Sequence, residues 1–425
     1  MDTSTKNVSL EDLQKIVGEE HAREATEEDA VDGVTPSFVA EPGSIEETSE
    51  LMKLASEEGL TAAARGSGTK MSLGNPPGNL DLILSTARMN EIIEHTPGDQ
   101  VVRVQAGLLL QDLQEQLAGA DQMLAIDSPE RGATIGGMVA ANSSGPRRFQ
   151  YGTIRDLIIG ITVVLPDGTV AKAGGKVVKN VAGYDLSKLF TGSLGTLGII
   201  ATCNFRLHPR PEASRTVAVE LNDALSAGKA AQAAMHAQIV ASAVELHWSD
   251  EEKLLTVLIE GIPPGVEAQA ETVSFLLKEF GEVRTLSDEE VEDLGPLDPP
   301  GGGDEEVAIK IAHPPAELTG VLDSTLGATE RKGVTPRITG HAGTGVTYVA
   351  LSGGDEEARV QVVEELREIW VRRGGSVIVR KAPPSAKERL DVWGPAGDYL
   401  GLLRRIKDKF DPREVLNPGR FVGGI

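Results

Sequence analysis

The sequence predicts an α+β protein of two main units, and three observations carry the prediction. Clusters of very small residues recur through the first half: "TAAARGSGTK" (61–70), "SPERGATIGGMVAANSSGPRRFQYGTIRDLI" (128–158) and "KNVAGYDLSKLFTGSLGTLGII" (179–200). The texture changes after "HPRPEAS" (208–214), where glycine loops become rarer. Beyond that point strands and helices alternate, which suits a mostly antiparallel sheet with helices on one face.

The elements follow in order. "SLEDLQKIVG" sets Ser9 and Asp12 at capping-box spacing and stops at Gly18, which reads as a short helix. Ser44 and Glu47 repeat that spacing, and Ile45, Leu51, Met52 and Ala55 mark the apolar stripe of a helix ending at Gly59. Strands are expected at 61–65, "NLDLILST" and "VVRVQAG", with a helix at "LLLQDLQEQLAG". "IIGITVVLPDGTVAKAG" reads as a hairpin, because two β-branched runs flank Pro166-Asp167-Gly168. "DLSKLF" is helical and "LGIIATCNFRL" a long strand. In the second half, "RTVAVEL", "SAVELHW", "LLTVLIEG", "VAIKIAHP", "PRITGHAGTGVTYVAL" and "SVIVRKAP" supply strands. Helices fall at 222–239, in "VEAQAETVSFLLKEFG" and at 355–372. The expected divisions are an N-terminal helical segment (1–29), a first domain (30–212), a second domain (213–385) and a tail returning to the first (386–425). Within the second, 287–306 is acidic and rich in Pro and Gly, so a mobile loop is expected there.

Composition narrows the partners. The chain has 425 residues, which at about 150 residues per domain suggests two or three domains. A formal charge of −23, from 41 Lys and Arg against 64 Asp and Glu, argues against nucleic acid or an anionic membrane surface as the main partner. The single cysteine, Cys203, leaves no internal disulfide and no cysteine-held iron–sulfur cluster in this chain. The start "MDTSTKNVSLEDLQKIV" lacks a signal pattern, and no run of about 18 apolar residues is present to span a bilayer. The expectation is a soluble, cytoplasmic protein, with any membrane association made through partner subunits.

The first glycine loop is neither common nucleotide loop. A dinucleotide fingerprint needs G-x-G-x-x-G running into a helix, but Met71 and "SLGNPPGN" follow here. A P-loop needs Gly-Lys-Ser/Thr, and the order here is Gly68-Thr69-Lys70. The loop can still form a nest of inward-pointing backbone N–H groups around an anion; taken alone it reads better as a plain glycine turn. The second cluster adds Gly132, Gly136, Gly137 and Gly145, with Thr134, Asn142, Ser143 and Ser144 as hydrogen-bond donors. The third adds Gly192, Gly195 and Gly198. Side chains so small over such lengths make a poor core, and a flat, extended ligand filling the space accounts for them.

These runs resemble the flavoproteins with a vanillyl-alcohol-oxidase or p-cresol-methylhydroxylase (PCMH) type of FAD-binding domain. The tail "FDPREVLNPGRFVGGI", with "DVWG" upstream, is similar to that of the FAD-binding E subunit of glycolate oxidases. The resemblance implies a two-lobed FAD domain and a cap domain. It places the pyrophosphate on Arg65, Gly66, Ser67, Gly68 and Thr69. It puts the ribityl chain and flavin ring along Pro129, Gly132, Thr134, Gly136, Gly137, Asn142 and Gly145, then Tyr151 and Gly152, and the adenine end near Gly195 to Ile200. Many relatives attach FAD through a histidine in the first glycine loop; "RGSGTKMSLG" has none, so noncovalent FAD is expected. Related 2-hydroxy-acid dehydrogenases carry a metal-binding "HxGDGNxH". Here "HAGTGVTYV" keeps His341 but has Thr344, Val346 and Tyr348 at the other key positions, and no metal is expected.

Oxidation of a 2-hydroxy acid needs a cation for the carboxylate and a base near the hydroxyl. Arg337, His341, Lys381 and Arg420 are candidates, with His341 and Arg337 the preferred pair, since alternate strand residues share a face. A locally bonded histidine at a strand turn remains the alternative for His341, and a structural return of the tail is the alternative for Asn417-Pro418-Gly419-Arg420. Trp393 is read equally as interdomain packing. The expected activity is hydride transfer from glycolate or a D-lactate type of acid to flavin. A sister FAD subunit and an iron–sulfur subunit are the partners that the resemblance implies. The rival expectation is an accessory electron-transfer or scaffold subunit without substrate oxidation of its own.

Overall fold

The computed structural model describes residues 8–128, 130–175, 185–295 and 305–425. Two main sheets occupy the first half, beside a two-stranded pairing of Gln122–Met123 with His208–Pro209. The first has four strands in the order Ala22–Glu24, Phe38–Ala40, Leu82–Ser85, Ala62–Arg65; its last three are mutually parallel and its first antiparallel. The second is antiparallel, in the order Ile92–Thr96, Val101–Gln105, Ile199–Arg206, Ile158–Val164, Val170–Gly174. Local chemistry sets their connections. Helix Leu10–Val17 carries the Ser9–Asp12 capping box, and helix Ile45–Glu58 starts on Ser44 and stops at Gly59 in the left-handed conformation. The hairpin turns at Gly168, where φ is +82° and a side chain would be strained.

The second half forms one eight-stranded sheet, antiparallel throughout. Its order is Val283–Leu286, Ala213–Glu220, Lys253–Gly261, Ala241–Trp248, Thr335–His341, Val346–Ser352, Val307–Ala312, Ser376–Lys381. Alternation gives this sheet two different faces. Val217, Val244, Leu246, Val257, Ile338, Val349, Ile309 and Val377 are buried in one cluster with residues of helices Ala224–His236, Pro263–Leu277, Leu318–Lys332 and Glu356–Arg372. Their neighbours along the strands, Thr256, Glu245, His341, Tyr348 and Lys310, fall on the opposite face. The cross-strand pairs Thr256–Glu245, Glu245–His341 and Tyr348–Lys310 put them in rows. That face looks toward the first half: Arg147, beside the short helix Arg148–Tyr151, binds Glu260 on the sheet with its Nη2 at 2.7 Å and also pairs with Asp127.

The tail closes on the first half. Leu416 bridges to Ala62 in parallel, and the Ala62 N–H donates to Val415 O at 2.7 Å. Lys387, buried in the helix Pro384–Arg389, reaches Asp32 at 2.9 Å.

Several features differ from the sequence expectation, three helices chief among them. Helix Ile135–Ala141 runs through the second glycine cluster, started by Thr134, whose hydroxyl accepts from the Gly137 N–H at 3.3 Å. Helix Leu318–Lys332 lies where the sequence pattern gave no element. The stretch expected as a mobile acidic loop opens with a helix, Asp288–Asp293. There the Ser287–Glu290 capping box and three acidic residues in the first turn favour helix at the positive end of its dipole. Residues 296–304 of that stretch lie outside the described residues.

Burial works against the charge on Arg147, but Asp127 and Glu260 outweigh it and raise its pKa. Arg147→Leu leaves the Glu260 carboxylate buried without its cation. We expect a loss of roughly 3–5 kcal/mol in urea unfolding, because breaking a buried pair costs more than the pair contributes.

Candidate active site

The three small-residue clusters meet. A narrow slot of about 80 Å³ is lined by Gly66, Ser67, Gly68 and Thr69 from the first cluster, Thr134, Gly137 and Ala141 from the second, and Leu194 and Gly195 from the third. The first loop leaves the end of strand Ala62–Arg65, while the second presents helix Ile135–Ala141, whose Ile135, Met138 and Val139 are buried in the core of the second sheet. The slot therefore lies between the two lobes. Its shape depends on missing side chains: a Cβ at Gly66 would stand 2.0 Å from Thr134 Oγ1. Ser67 Oγ donates to Gly132 O, where φ of +76° suits glycine, so the loops also hold each other.

The tail fixes the loops. Arg420 Nη2 donates to Leu73 O at 3.0 Å and to Met71 O, and the Asn75 N–H donates back to Arg420 O at 3.0 Å. Asn417 Nδ2 donates to Leu194 O at 3.0 Å, and Lys407 Nζ donates to Thr196 O at 2.9 Å. Burial lowers the pKa of both Lys407 and Arg420. Asn417 and Arg420 themselves line the slot.

Two further cavities lie between the first half and the polar face of the large sheet. One, of about 560 Å³, shares Ala141 and Leu194 with the slot; Asn142, Gly192, Lys310, Arg380, Trp393 and Phe421 are among its walls. The other, of about 280 Å³, is lined by Asp127, Ser128 and Gly145 on one side and by Thr216, Thr256, Glu245, His247 and His341 on the other. His341 Nδ1 lies 2.7 Å from Glu245 Oε2, and both residues are buried. Burial pushes the Glu245 carboxyl well above the usual range, against the opposing charge of Arg148. Burial also lowers His247 to about 4, which leaves it neutral near pH 7.

The other expected site residues are placed differently. The Arg65 guanidinium is paired with Asp29 at 2.8 Å, so this residue offers backbone rather than charge to the loop. Gly136 serves close packing, since a Cβ there would meet Ala106 Cβ at 2.7 Å. Tyr151 sets its ring edge-on to His208 at 4.8 Å, and Ile200 is buried in the second sheet opposite Val163; neither lines these cavities. Pro129 lies outside the described residues. Arg337 shares its parity with His341, but four residues at about 3.3 Å each set them roughly 13 Å apart, and Arg337 is exposed at the far end of the strand. Arg420 is engaged with the loop carbonyls, and the Trp393 indole donates to Arg420 O at 2.9 Å. Glu245 and His247 were missed. Their signal was present in "SAVELHW", where charged and polar residues alternate with apolar ones in a strand.

A slot that a single Cβ closes is a cradle for a phosphate-bearing chain, and the cavity beyond it offers room for a ring. No histidine or cysteine lines the slot among the described residues. Gly66→Ala is expected to remove most of the bound flavin, read as the ratio of absorbance near 450 nm to that at 280 nm, and to lower the melting temperature through the lost ligand and the crowding of Thr134. Gly136→Ala is expected to lower the melting temperature through its clash with Ala106.

Comparison with known proteins agrees. Residues 36–174 match the family described as FAD binding domain, and residues 305–421 match FAD linked oxidases, C-terminal domain. The glycolate oxidase subunit GlcD of Bacillus subtilis is 28% identical over 425 residues, covering 91% of this chain and 89% of that protein. The glycolate oxidase subunit GlcE of Escherichia coli is 38% identical over 160 residues, covering 37% of this chain and 45% of that one. The structure of p-cresol methylhydroxylase with substrate bound superposes with a TM-score of 0.77 at 17% identity, covering 97% of this chain and 95% of that one, which shows the shared fold. The chain carries an FAD binding domain and the C-terminal domain of FAD linked oxidases, it shares the fold of p-cresol methylhydroxylase, and FAD is its cofactor.

Proposed function

We propose that the protein oxidises a small 2-hydroxy acid, of the glycolate or D-lactate type, within a glycolate-oxidase-like complex. The observation that carries this reading is the His341–Glu245 pair on the wall of a cavity facing the flavin-binding half. The full-length similarity to a glycolate oxidase subunit supports it. Bound FAD supplies the two-electron acceptor for the hydride.

The chain's own residues supply position and proton handling. The backbone of Gly66 to Thr69 holds the pyrophosphate, and each charge-assisted N–H bond there contributes about 1.5–3 kcal/mol. The nucleotide would be held without a covalent bond, and the cavity that shares Ala141 and Leu194 with the slot would give room for its ring. The substrate occupies the cavity beside His341, between that sheet and the Gly145 turn. Arg148, whose Nε donates at 3.1 Å to the carbonyl of Gly145 on that cavity's wall, is the cation we assign to the substrate carboxylate. We take residues 30–212 as the FAD domain, 213–385 as the cap and 386–425 as the returning tail. Cys203 is buried in the core of the second sheet, so electrons leave to another carrier. A sister FAD subunit and an iron–sulfur subunit fit that role.

A second reading rests on the motif around His341, where Thr344, Val346 and Tyr348 stand in place of metal-site residues. On that reading the chain passes electrons and a sister subunit oxidises the substrate. Anaerobic mixing of the purified, FAD-loaded chain with glycolate, D-lactate and other 2-hydroxy acids separates the two. Bleaching near 450 nm by at least one acid is the expected result. Bleaching that appears only after partner subunits are added establishes the accessory role.

A further inference from the structure

We propose that the substrate carries an apolar side chain of several carbons, and that Leu258, Val291 and Leu294 form the subsite that holds it. This rests on reading the 280 Å³ cavity as the substrate site, and it names which acids of the D-lactate type that site takes. The cavity is long. The strands carrying its wall residues His341, Glu245, Thr256 and Thr216 are consecutive in the large sheet. Three spacings of about 4.8 Å make it roughly 14 Å across. Glycolate or lactate fills only one end of such a trough.

The two ends differ in chemistry. At the His341 end the wall is polar, and the Gly145 turn beside it carries Arg148, assigned above to the substrate carboxylate. Toward Thr216 the wall turns apolar. Leu258, opposite Thr216 and Ala243, alternates with Thr256 and Glu260, while Val257 and Ile259 enter the core. It stays half-buried, and core packing does not account for a leucine on that face. Leu286 pairs with Thr216 at the sheet edge, and the chain runs from there into helix Asp288–Asp293. That helix reads DEEVED and ends on Leu294. Val291 and Leu294 are three residues apart and share a face. Both line the cavity, and neither belongs to a hydrophobic core among the described residues. Single exposed apolar residues are ordinary; two on one face of an otherwise acidic helix, turned to a cavity that holds a third, fit an apolar ligand. The helix is tied down at both sides, by Arg284 on Glu290 and by Arg131, 3.7 Å from Glu292 beside the second glycine cluster. Its carboxylates also set a limit, because a second negative charge at the far end of the substrate would meet like charge. Aliphatic chains fit; dicarboxylates do not.

The test uses the FAD-loaded full chain and a homologous series of acids: D-lactate, D-2-hydroxybutyrate, D-2-hydroxyvalerate and D-2-hydroxycaproate, with D-2-hydroxyglutarate as the charged-end control. Anaerobic flavin reduction gives a second-order rate constant for each. Burying one CH₂ is worth about fourfold, so the constant should rise about fourfold per added carbon, and the glutarate member should fall below the valerate one. A series that is flat or falls from lactate onward overturns the proposal. Leu294→Asn changes a position outside the core, and its flavin content and melting temperature are checked first. It should cut the step per carbon to about twofold or less; an unchanged step overturns the role of the helix. Binding gives a readout without turnover. Calorimetric titration of the FAD-loaded protein with straight-chain carboxylates from propionate to hexanoate should show affinity rising with length in the wild type, and the rise should be lost in Leu294→Asn. Carboxylates that bind in this way, while no 2-hydroxy acid bleaches the flavin, show that the oxidation reading fails and the subsite stands. Bleaching by lactate, with affinity indifferent to chain length, shows that the reading stands and the subsite fails.

Discussion

The site depends on a constraint imposed from far along the chain: cationic and amide side chains of the tail bind the backbone carbonyls of the glycine loops. A loop of Gly, Ser and Thr has many accessible conformations, and fixing one residue costs roughly 1–2 kcal/mol. Arg420 ties the first loop through Met71 O and Leu73 O, Asn417 ties the third through Leu194 O, and Lys407 ties it again through Thr196 O. Lys407 is held in turn by Asp411 at 2.7 Å. With these carbonyls bound by the tail, Gly66 to Thr69 and Gly195 line the slot together with Asn417 and Arg420. The loops stay small enough for a nucleotide because their rigidity comes from elsewhere.

The large sheet supplies the other half of the arrangement. Its apolar face is buried against four helices, which stabilises the second half of the chain without using the polar face. Thr256, Glu245, His341, Tyr348 and Lys310 can then be kept for polar work on the face toward the first half. Register does the positioning, since a slip of one residue would turn Glu245 and His341 into the core. The Arg147 cluster spans the gap between the two halves, so assembly of the cavity is linked to stability of the fold.

Much of this was legible in the sequence, for stated reasons. Helix starts at Ser9 and Ser44, the Gly168 turn and the strand runs are local, and local chemistry decided them. The slot was legible because small residues recur where no core needs them, and the resemblance to FAD domains ordered them along the ligand. Helix Ile135–Ala141 was hidden because two glycines sit inside it; burial of Ile135, Met138 and Val139 overrides their low helical propensity. Helix Leu318–Lys332 was hidden by Gly320, Gly327 and several threonines, yet its Leu318, Val321, Leu322 and Thr325 face the core. Pairing of His341 with Glu245 is a matter of sheet order, joining residues 96 apart in the chain, and no local pattern states it. Arg337 shows the converse: parity along a strand places a side chain on a face but says nothing of distance.

If the tail shapes the slot, weakening its grip must weaken the nucleotide. The direct measurement is the Kd of FAD for the apoprotein, by flavin fluorescence titration, in the wild type and in Arg420→Met. Loss of the guanidinium frees two carbonyls of the first loop, and at about 1.4 kcal/mol per tenfold even one lost charge-assisted bond matters. The account predicts FAD binding at least tenfold weaker in a variant that is otherwise folded. An unchanged Kd would contradict it.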